Sequence, residues 1–320
     1  MALPNHDDLT AGDVLGVYLR SQATAFLRAL RLHEAGAAGG SAADAAESGE
    51  AAYGLRGAAR RIAGSLSTFR AVTEARWADS LRTELVWLSA TLADEHAYAA
   101  RLSRLMEALQ RLSDSPDASS ARGGGAGSSG ALTVGSARAG ALLERQLTLA
   151  RTRAHSATLQ ALGSSRFHAV ADAVAVLASE VPLDAVAARG RVGDVLEPLA
   201  EVTAARLSGA VSALPAAQGT PYAAHEDASW HEVRRLLRVH RYAREVLGGD
   251  VARLSAAGGA LDLHRDASEA ATASATAART PRIAPATAYA LGVLHADQRH
   301  AVEAARRAFH HIWHPAPAVP

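Results

Sequence analysis

Apolar residues recur at the three- and four-residue spacing of an amphipathic α-helix along most of this 320-residue chain. Apolar residues make up 49% of the sequence, yet aromatic residues make up only 4%, and alanine and leucine dominate. Alanine and leucine have the highest helix propensities among apolar residues, whereas β-branched clusters and hairpin dipeptides are scarce. The sequence therefore predicts an all-α protein.

Cap signals and breaks in this pattern divide the chain into nine predicted helices. Two stretches interrupt the pattern: Ala35–Gly49, interpreted as a surface connection, and the glycine- and serine-rich residues 113–137, interpreted as a flexible loop. A proline-bounded turn, Arg279–Pro285, precedes the last helix. The predicted helices are Thr10–Glu34, Glu50–Val72, Arg76–Ser113, Arg138–Leu162, Ser165–Ser179, Asp194–Leu214, Asp227–Leu247, Val251–Ala278 and Pro285–Trp313.

Two pairs of segments repeat in the same order. "AGDVLGVYLRSQATAFLRALRL" from Ala11 is similar to "VGDVLEPLAEVTAARLSGAVSAL" from Val192, and "YGLRGAARR" from Tyr53 is similar to "HEVRRLLRV" from His231. Both matches lie at nearly the same offset, which indicates duplication of a unit of about four helices. Chance similarity between alanine-rich helices is the alternative. We predict one domain over residues 9–314, with a first half at 9–163 and a second half at 164–314.

Several function classes are excluded by composition. The chain has no cysteine, so it has no disulfide, thiolate metal site or cysteine nucleophile. No run of about 18 apolar residues exists, so we expect no membrane span. The start, "MALPNHDDLTAG", lacks a basic segment followed by an apolar run. We therefore expect no secretion signal and a cytoplasmic protein.

Positive charge is concentrated on one predicted helix. All 33 basic residues are arginine, and the formal net charge is only +1. Five of these arginines fall within His231–Glu245, where Glu232 and Glu245 are the acids. On a helical wheel, seven side chains share a sector of about 120°: His231, Arg234, Arg235, Arg238, Arg241, Tyr242 and Glu245.

Like charges three and four residues apart on a helix repel one another, so something must offset the repulsion. Acids from another helix would do so, and so would an anionic ligand. Guanidinium groups bind phosphate or carboxylate through paired hydrogen bonds and stay charged at any ordinary pH. The residues alone favour a solvated or internally paired face, with phosphate binding as the alternative.

The segment "HEVRRLLRVHRYAREVL" resembles the second basic helix of the CHAD family, the conserved-histidine α-helical domain, whose motif is approximately His-x-x-Arg-Lys-x-x-Lys-Arg-x-Arg-Tyr-x-x-Glu. Arg235 and Arg238 stand where lysine is usual, and Val239 replaces a basic residue. Downstream, "LDLHRDA" resembles the family's Leu-Gly-x-x-x-Asp turn, with Asp266 matching. The residues that match the basic helix are His231, Arg234, Arg241, Tyr242 and Glu245.

The first half carries a weaker copy of the family's Val-His-Asp-x-Arg-Val-x-x-Arg-Arg-x-Arg motif in "AYGLRGAARRIAGSLSTFR". Arg56, Arg60 and Arg61 match, whereas Tyr53 replaces the histidine and Gly54 the aspartate. The resemblance extends from about Leu9 to Trp313. It implies two pseudo-symmetric four-helix units whose basic helices line a shared positive surface.

The ligand that the resemblance implies is inorganic polyphosphate, with association with polyphosphate granules, no catalysis and no cofactor. The chain resembles the stand-alone form of the family. The implied binding residues are Arg56, Arg60, Arg61, His231, Arg234, Arg235, Arg238, Arg241 and Tyr242. His231 has two roles open, either donation to phosphate or anchoring of the helix to a buried group. Glu245 and Asp266 are expected to orient arginines, and the sequence leaves open whether Arg306 and Arg307 extend the surface.

Two other classes of function stay open. A positive surface also accepts nucleic acid, although Tyr242 is the only aromatic residue in the stripe. A helical scaffold whose binding surface has decayed would fit the weaker first half. The histidines of "HHIWH" (His310–His314) would be the basis for a hypothesis that the protein is an enzyme. Adjacent histidines point in different directions on a helix, however, and no His-Glu-x-x-His zinc motif is present. We therefore expect no metal site and no catalysis.

Overall fold

The computed structural model describes residues 9–39, 41–114, 128–215 and 224–314. Helices account for almost all of this part of the chain, and it contains no β-strand, so the predicted all-α class is confirmed. The α-helices are α1 (Ala11–Ala38), α2 (Ala42–Thr68), α3 (Ala75–Asp114), α4 (Ser128–Leu162), α5 (Ser165–Ser179), α6 (Val192–Ser212), α7 (Asp227–Val246), α8 (Ala252–Ala278) and α9 (Pro285–Trp313). Within the described residues, none of these helices has the length and apolar character needed to cross a bilayer.

The connection predicted at Ala35–Gly49 is wrong in extent, because only residues 39–41 separate α1 from α2. The stretch "AADAAESGEAA" that opens α2 is rich in alanine and glutamate, which favour helix strongly enough to tolerate one glycine. Gly49 lies in open space, with no side chain or backbone nearby that a methyl group would meet. The segment whose composition predicted a surface connection is therefore an exposed turn of helix.

The predicted loop at 113–137 also needs correction, since α4 begins at Ser128. Residues 115–127 lie outside the described residues. Gly135 shows why this helical stretch contains glycine. A Cβ at this position would come within 2.3 Å of the Ala286 carbonyl oxygen. Glycine thus permits close approach of α4 to α9, where sequence reasoning took it as a sign of flexibility. The predicted turn at Arg279–Pro285 is confirmed by the end of α8 and the start of α9.

The chain forms two compact units from interleaved segments. The first comprises the described residues of Met1–Asp94, Ala154–Ala213 and Arg235–Leu254, and the second those of Glu95–Arg153, Leu214–Arg234 and Ser255–Pro320. This division differs from two consecutive sequence halves, and the predicted duplication with its boundary at 163/164 stays a prediction. Helices α3, α4, α7 and α8 each contribute residues to both units.

The first unit buries residues at helical spacing on α1 and α2, among them Leu15, Leu19, Leu55 and Ile62. Thr10 caps α1, accepting from the Asp13 amide while the Asp13 side chain accepts from the Thr10 amide. An isolated bridge joins Thr10 to Arg191, so the starts of α1 and α6 lie side by side in this unit. The second unit has its own core, formed by Leu105, Leu109, Leu143, Leu147, Leu291 and Leu294.

Candidate anion-binding site

The predicted binding residues divide between the compact units. His231 and Arg234 belong to the second unit. The other seven belong to the first unit, which therefore contains arginines from both copies of the motif: Arg56, Arg60, Arg61, Arg235, Arg238, Arg241 and Tyr242. The two basic helices come together here even though their motif residues are far apart in the sequence.

Glu245 joins these two helices. Its Oε2 accepts hydrogen bonds from Arg61 Nε at 3.0 Å and from Tyr18 Oη at 2.9 Å, and its Oε1 lies 3.3 Å from Arg241 Nε. The Arg241 contact is an ion pair without the alignment of a hydrogen bond. The Glu245 side chain is only 18% exposed. Its carboxylate holds both guanidinium groups in place, which is the role expected for Glu245 from the sequence.

Tyr18 is a contributor that the sequence did not reveal. Tyr18 is half-buried on α1 and lies 227 residues from Glu245 along the chain. No motif or spacing in the sequence marks it. Burial, followed by the neighbouring Glu245 carboxylate, raises the pKa of Tyr18 above its ordinary value. Burial alone would lower the pKa of Arg61, but Glu245 more than offsets this and raises it. The phenol therefore stays a hydrogen-bond donor and the guanidinium stays charged.

Tyr242 packs against both arginines. The guanidinium carbons of Arg61 and Arg241 lie 5.6 and 5.2 Å from its ring centroid, within cation–π range. The residue is only 3% exposed, and a Cβ at Gly64 would come within 2.7 Å of Tyr242 Cδ2. The ring thus supports the arginines and has no free face for stacking, a correction to the predicted ligand contact of Tyr242.

The remaining arginines of the first unit are held to different degrees. Arg56 Nε donates to the Ser89 carbonyl oxygen at 3.1 Å. Arg60 Nε is buried and has no hydrogen-bond partner among the described residues. Arg235 is exposed and Arg238 is half-buried on α7. Arg61 and Arg241 share the single carboxylate of Glu245, so these three side chains together keep a net positive charge.

In the second unit, His231 anchors its helix. The Ser268 hydroxyl donates to the Arg265 carbonyl oxygen at 2.9 Å, so in its 3.3 Å contact with His231 Nε2 the imidazole is the donor. Burial lowers the pKa of His231, which keeps the ring neutral near pH 7. Arg234 pairs with Asp262 and is only 11% exposed. Of the two roles left open for His231, the contacts correspond to anchoring.

Arg306 and Arg307, whose roles the sequence left open, differ sharply. Arg306 is 11% exposed and pairs with Glu226 at 3.1 Å and Asp227 at 2.8 Å, so it belongs to a buried network. Arg307 is 66% exposed and lies 4.0 Å from Glu303. Asp266, expected to orient an arginine, pairs with Arg265 as expected.

The buried network around Asp227 was not found from sequence. Its carboxylate accepts from Arg299 Nη1 at 2.6 Å and from Arg306, and lies 3.5 Å from His264 Nε2. Burial would raise the pKa of Asp227, but hydrogen bonds from His264 and Arg299 lower it to about 2. Since its partners lie on α8 and α9, nothing in the local sequence marks Asp227 as more than a helix-start residue.

The chain is similar to known proteins in both sequence and fold. A family model described as the CHAD domain matches residues 21–257, which include both arginine-bearing helices. PptA from Streptomyces chartreusis is 56% identical in sequence, with 95% of this chain and 99% of that chain covered and a TM-score of 0.78. The CHAD domain from the plant Ricinus communis has a similar fold, with 19% identity, coverage of 99% and 96%, and a TM-score of 0.61. No protein of curated function matches the chain.

Proposed function

The chain belongs to the CHAD domain family, and on this basis we propose that it binds inorganic polyphosphate through arginines of α2 and α7. The observation that carries the proposal is the shared placement of Arg61 and Arg241, which come from different motif copies and hold the same carboxylate and the same aromatic ring. The proposed contact residues are Arg56, Arg60, Arg61, Arg235, Arg238 and Arg241.

Polyphosphate is a flexible polyanion without bases or sugars, so charge density and donor geometry must provide recognition. Arg61 and Arg241 suit this task because Glu245 and the Tyr242 ring fix their guanidinium groups before any ligand arrives. Fixing the side chains in advance reduces the entropy lost on binding. Each guanidinium retains N–H groups beyond the Nε used internally, and these can donate to phosphate oxygens.

His231, Arg234 and Tyr242 are left out of the proposed contact set. His231 and Arg234 belong to the second unit, whereas the six proposed arginines belong to the first, and Tyr242 is only 3% exposed. The burial of Tyr242 also weakens the rival interpretation as a nucleic-acid-binding protein, because single-stranded nucleic acid is held largely by stacking on exposed aromatic rings.

A binding titration with long-chain polyphosphate at about 50 and about 200 mM salt tests the proposal, because contacts to several phosphates make affinity fall steeply with salt. DNA and RNA at equal phosphate concentration serve as competitors. We expect tight, salt-dependent binding and weaker competition by nucleic acid. Absence of binding at low salt would refute the proposal, and stronger binding of RNA or DNA would favour the nucleic-acid alternative.

The proposal includes binding without hydrolysis. Both oxygens of Glu245, the carboxylate beside the paired arginines, are engaged by Tyr18, Arg61 and Arg241. A carboxylate held in this way is poorly suited to accept a proton from attacking water. Incubation with polyphosphate should release no inorganic phosphate, and release above the level of a heat-denatured control would overturn this part.

Association with polyphosphate granules is the cellular form of the proposal, and it follows from binding to the granule's main component. The purified protein should sediment with polyphosphate aggregates and remain in the supernatant after a polyphosphatase digests them. Sedimentation that persists after digestion would show a different basis for association.

A further inference from the structure

One face of α4 is basic and exposed. Arg145 and Arg153 are exposed, and Leu149, which lies four residues from each of them, is 51% exposed. This spacing places the three side chains on the same side of the helix. No acid lies three or four residues from either arginine, and among the described residues neither arginine forms an ion pair. These three residues are the α4 basic face.

One face of α6 carries the opposite charge. Asp194, Glu197 and Glu201 are exposed at spacings of three and four residues, and the exposed Pro198 lies between Asp194 and Glu201. Like charges at these spacings repel one another. In the part of the chain that the structure describes, none of the three carboxylates forms an ion pair. These four residues are the α6 acidic face, and its charge is not offset within the described chain.

Pro198 adds a hydrogen-bond acceptor to the α6 acidic face. Proline has no backbone N–H, so the Asp194 carbonyl oxygen lacks the donor that an ordinary helix supplies from four residues further on. Asp194 and Pro198 are both exposed, so this oxygen lies on the outward side of α6. The face therefore combines carboxylates, a carbonyl oxygen without its helical donor and an apolar ring. Such a combination suits a partner surface with many donors and one apolar side chain.

The two faces match in order and spacing. The arginines are separated by about 12 Å along α4, and the outer carboxylates by about 10.5 Å along α6. Arginine side chains are long and flexible enough to bridge this small difference, and guanidinium binds carboxylate through paired hydrogen bonds. Each face has charged side chains on both sides of an exposed apolar one: Arg145, Leu149 and Arg153 on α4, and Asp194, Pro198 and Glu201 on α6.

We propose that the α6 acidic face of one copy of this protein docks on the α4 basic face of a second copy. Both arginines would donate to carboxylates of α6, and Leu149 would pack on Pro198. The partner is a second copy because this chain carries both complementary faces and pairs neither of them within its described residues. None of the six arginines in the proposed polyphosphate contact set belongs to either face, so the contact is separate from the function proposed above.

Sedimentation velocity of the full chain without polyphosphate tests the proposal at protein concentrations from about 10 to about 500 µM, because exposed ion pairs give weak association. At about 50 mM salt the mean sedimentation coefficient should rise with protein concentration, and about 500 mM salt should abolish the rise by screening the charges. A protein that stays monomeric at low salt overturns the proposal and leaves the two faces to other partners. Because polyphosphate is absent, that result would leave the proposed polyphosphate binding untouched.

Two charge-swap variants locate the contact. The double variants Arg145→Glu/Arg153→Glu and Glu197→Arg/Glu201→Arg should each lower the association constant at least about tenfold, because faces of like charge then oppose one another. An equal mixture of the two variants should associate as the parent protein does, since each supplies the face that the other has lost. Association retained in either variant alone, or not restored in the mixture, refutes the assignment.

Arg28→Glu/Arg31→Glu is the matched control, since it makes the same change in charge at two exposed positions of α1. This variant should associate as the parent protein does. Circular dichroism of all variants checks that their helices are intact. A loss in the control equal to that in the charge-swap variants would show that association depends on net charge alone and would overturn the proposal.

Discussion

Arg61 Nε lies 3.0 Å from Glu245 Oε2, although the two residues are 184 positions apart in the sequence. Arg61 belongs to the weaker motif copy on α2 and Glu245 closes the stronger copy on α7. The contact therefore makes the two copies parts of one arrangement, in which one carboxylate and one ring position arginines from both helices.

Replacement of Arg61 or Arg241 by glutamine should weaken polyphosphate binding. Each charge-assisted contact to phosphate is worth on the order of 1–3 kcal/mol, so affinity should fall about tenfold or more for each variant. Arg206→Gln is the control, because it removes the same charge from an exposed position of α6 outside both motif copies. The measurement is a polyphosphate titration at constant salt, and an equal loss in all three variants would point to net charge alone.

Gly64→Ala should disturb the arginines without removing any charge. The new methyl group would come within 2.7 Å of Tyr242 Cδ2, so the ring must shift together with the guanidinium groups that flank it. We expect a loss of about 1–3 kcal/mol in unfolding free energy, typical of overpacking, together with weaker polyphosphate binding.

Gly209→Ala is the matched control for Gly64→Ala, since Gly209 is also helical and has nothing within 4 Å of its Cβ position. This variant should be neutral or stabilising by up to about 1 kcal/mol. Urea unfolding compares the two variants, and equal stability would show that the Tyr242 ring can relax at little cost.

Tyr18→Phe should lower stability by about 1.5–3 kcal/mol near pH 7, because a hydrogen bond to the charged Glu245 is lost. The variant should also change the alkaline limb of the stability curve. The pKa of Tyr18 is raised in the folded state, so its contribution is present below the unfolded value of about 10 and is lost as pH rises above it. Tyr18→Phe should therefore make stability fall less steeply above about pH 10.

Urea unfolding across this pH range measures the effect of Tyr18→Phe. Tyr289→Phe, which changes a tyrosine that is 62% exposed, should leave the neutral-pH stability and the alkaline slope close to those of the parent protein. Parallel behaviour of the two variants would contradict the assigned role of the Tyr18–Glu245 bond.

Asp227→Asn should be strongly destabilising. It would leave the Arg299 guanidinium, which is only 3% exposed, without its carboxylate partner, and breaking a buried pair from one side costs about 3–5 kcal/mol. Asp172→Asn, at an exposed position of α5, should change stability little. Thermal unfolding of both variants makes the comparison, and a small effect of Asp227→Asn would mean that the network can rearrange.

The lowered pKa of Asp227 also predicts how the stability of the protein changes in acid. The pKa of Asp227 is lowered in the folded state to about 2, so its contribution is present above the unfolded value of about 3.9 and is lost as pH falls through about 2. Asp227→Asn should thus remove part of the acid destabilisation of the parent protein, and an unchanged acid limb would contradict the assignment.

The sequence by itself determined the helical class and most of the helix positions, because apolar spacing and caps are local signals that need no tertiary contact. It also identified the arginines of α2 and α7, since their clustering and motif spacing are visible along the chain. The sequence-based prediction of loops was wrong at Ala42–Gly49 and at residues 128–137, where glycine and serine occur within helices. At Gly135 a small residue serves close packing of α4 and α9, which cannot be recognised before the partner helix is known.

Only the tertiary structure decided which side chains complete the arrangement. Tyr18, Gly64 and Asp227 carry no sequence signal, because a hydrogen-bond or packing partner on another helix is set by how the helices pack and not by local spacing. Packing also decided that the Tyr242 ring is buried and that Arg306 is internally paired while Arg307 is exposed. Helical periodicity places a residue on a face of its own helix, but the burial and charge of that face depend on which helix covers it.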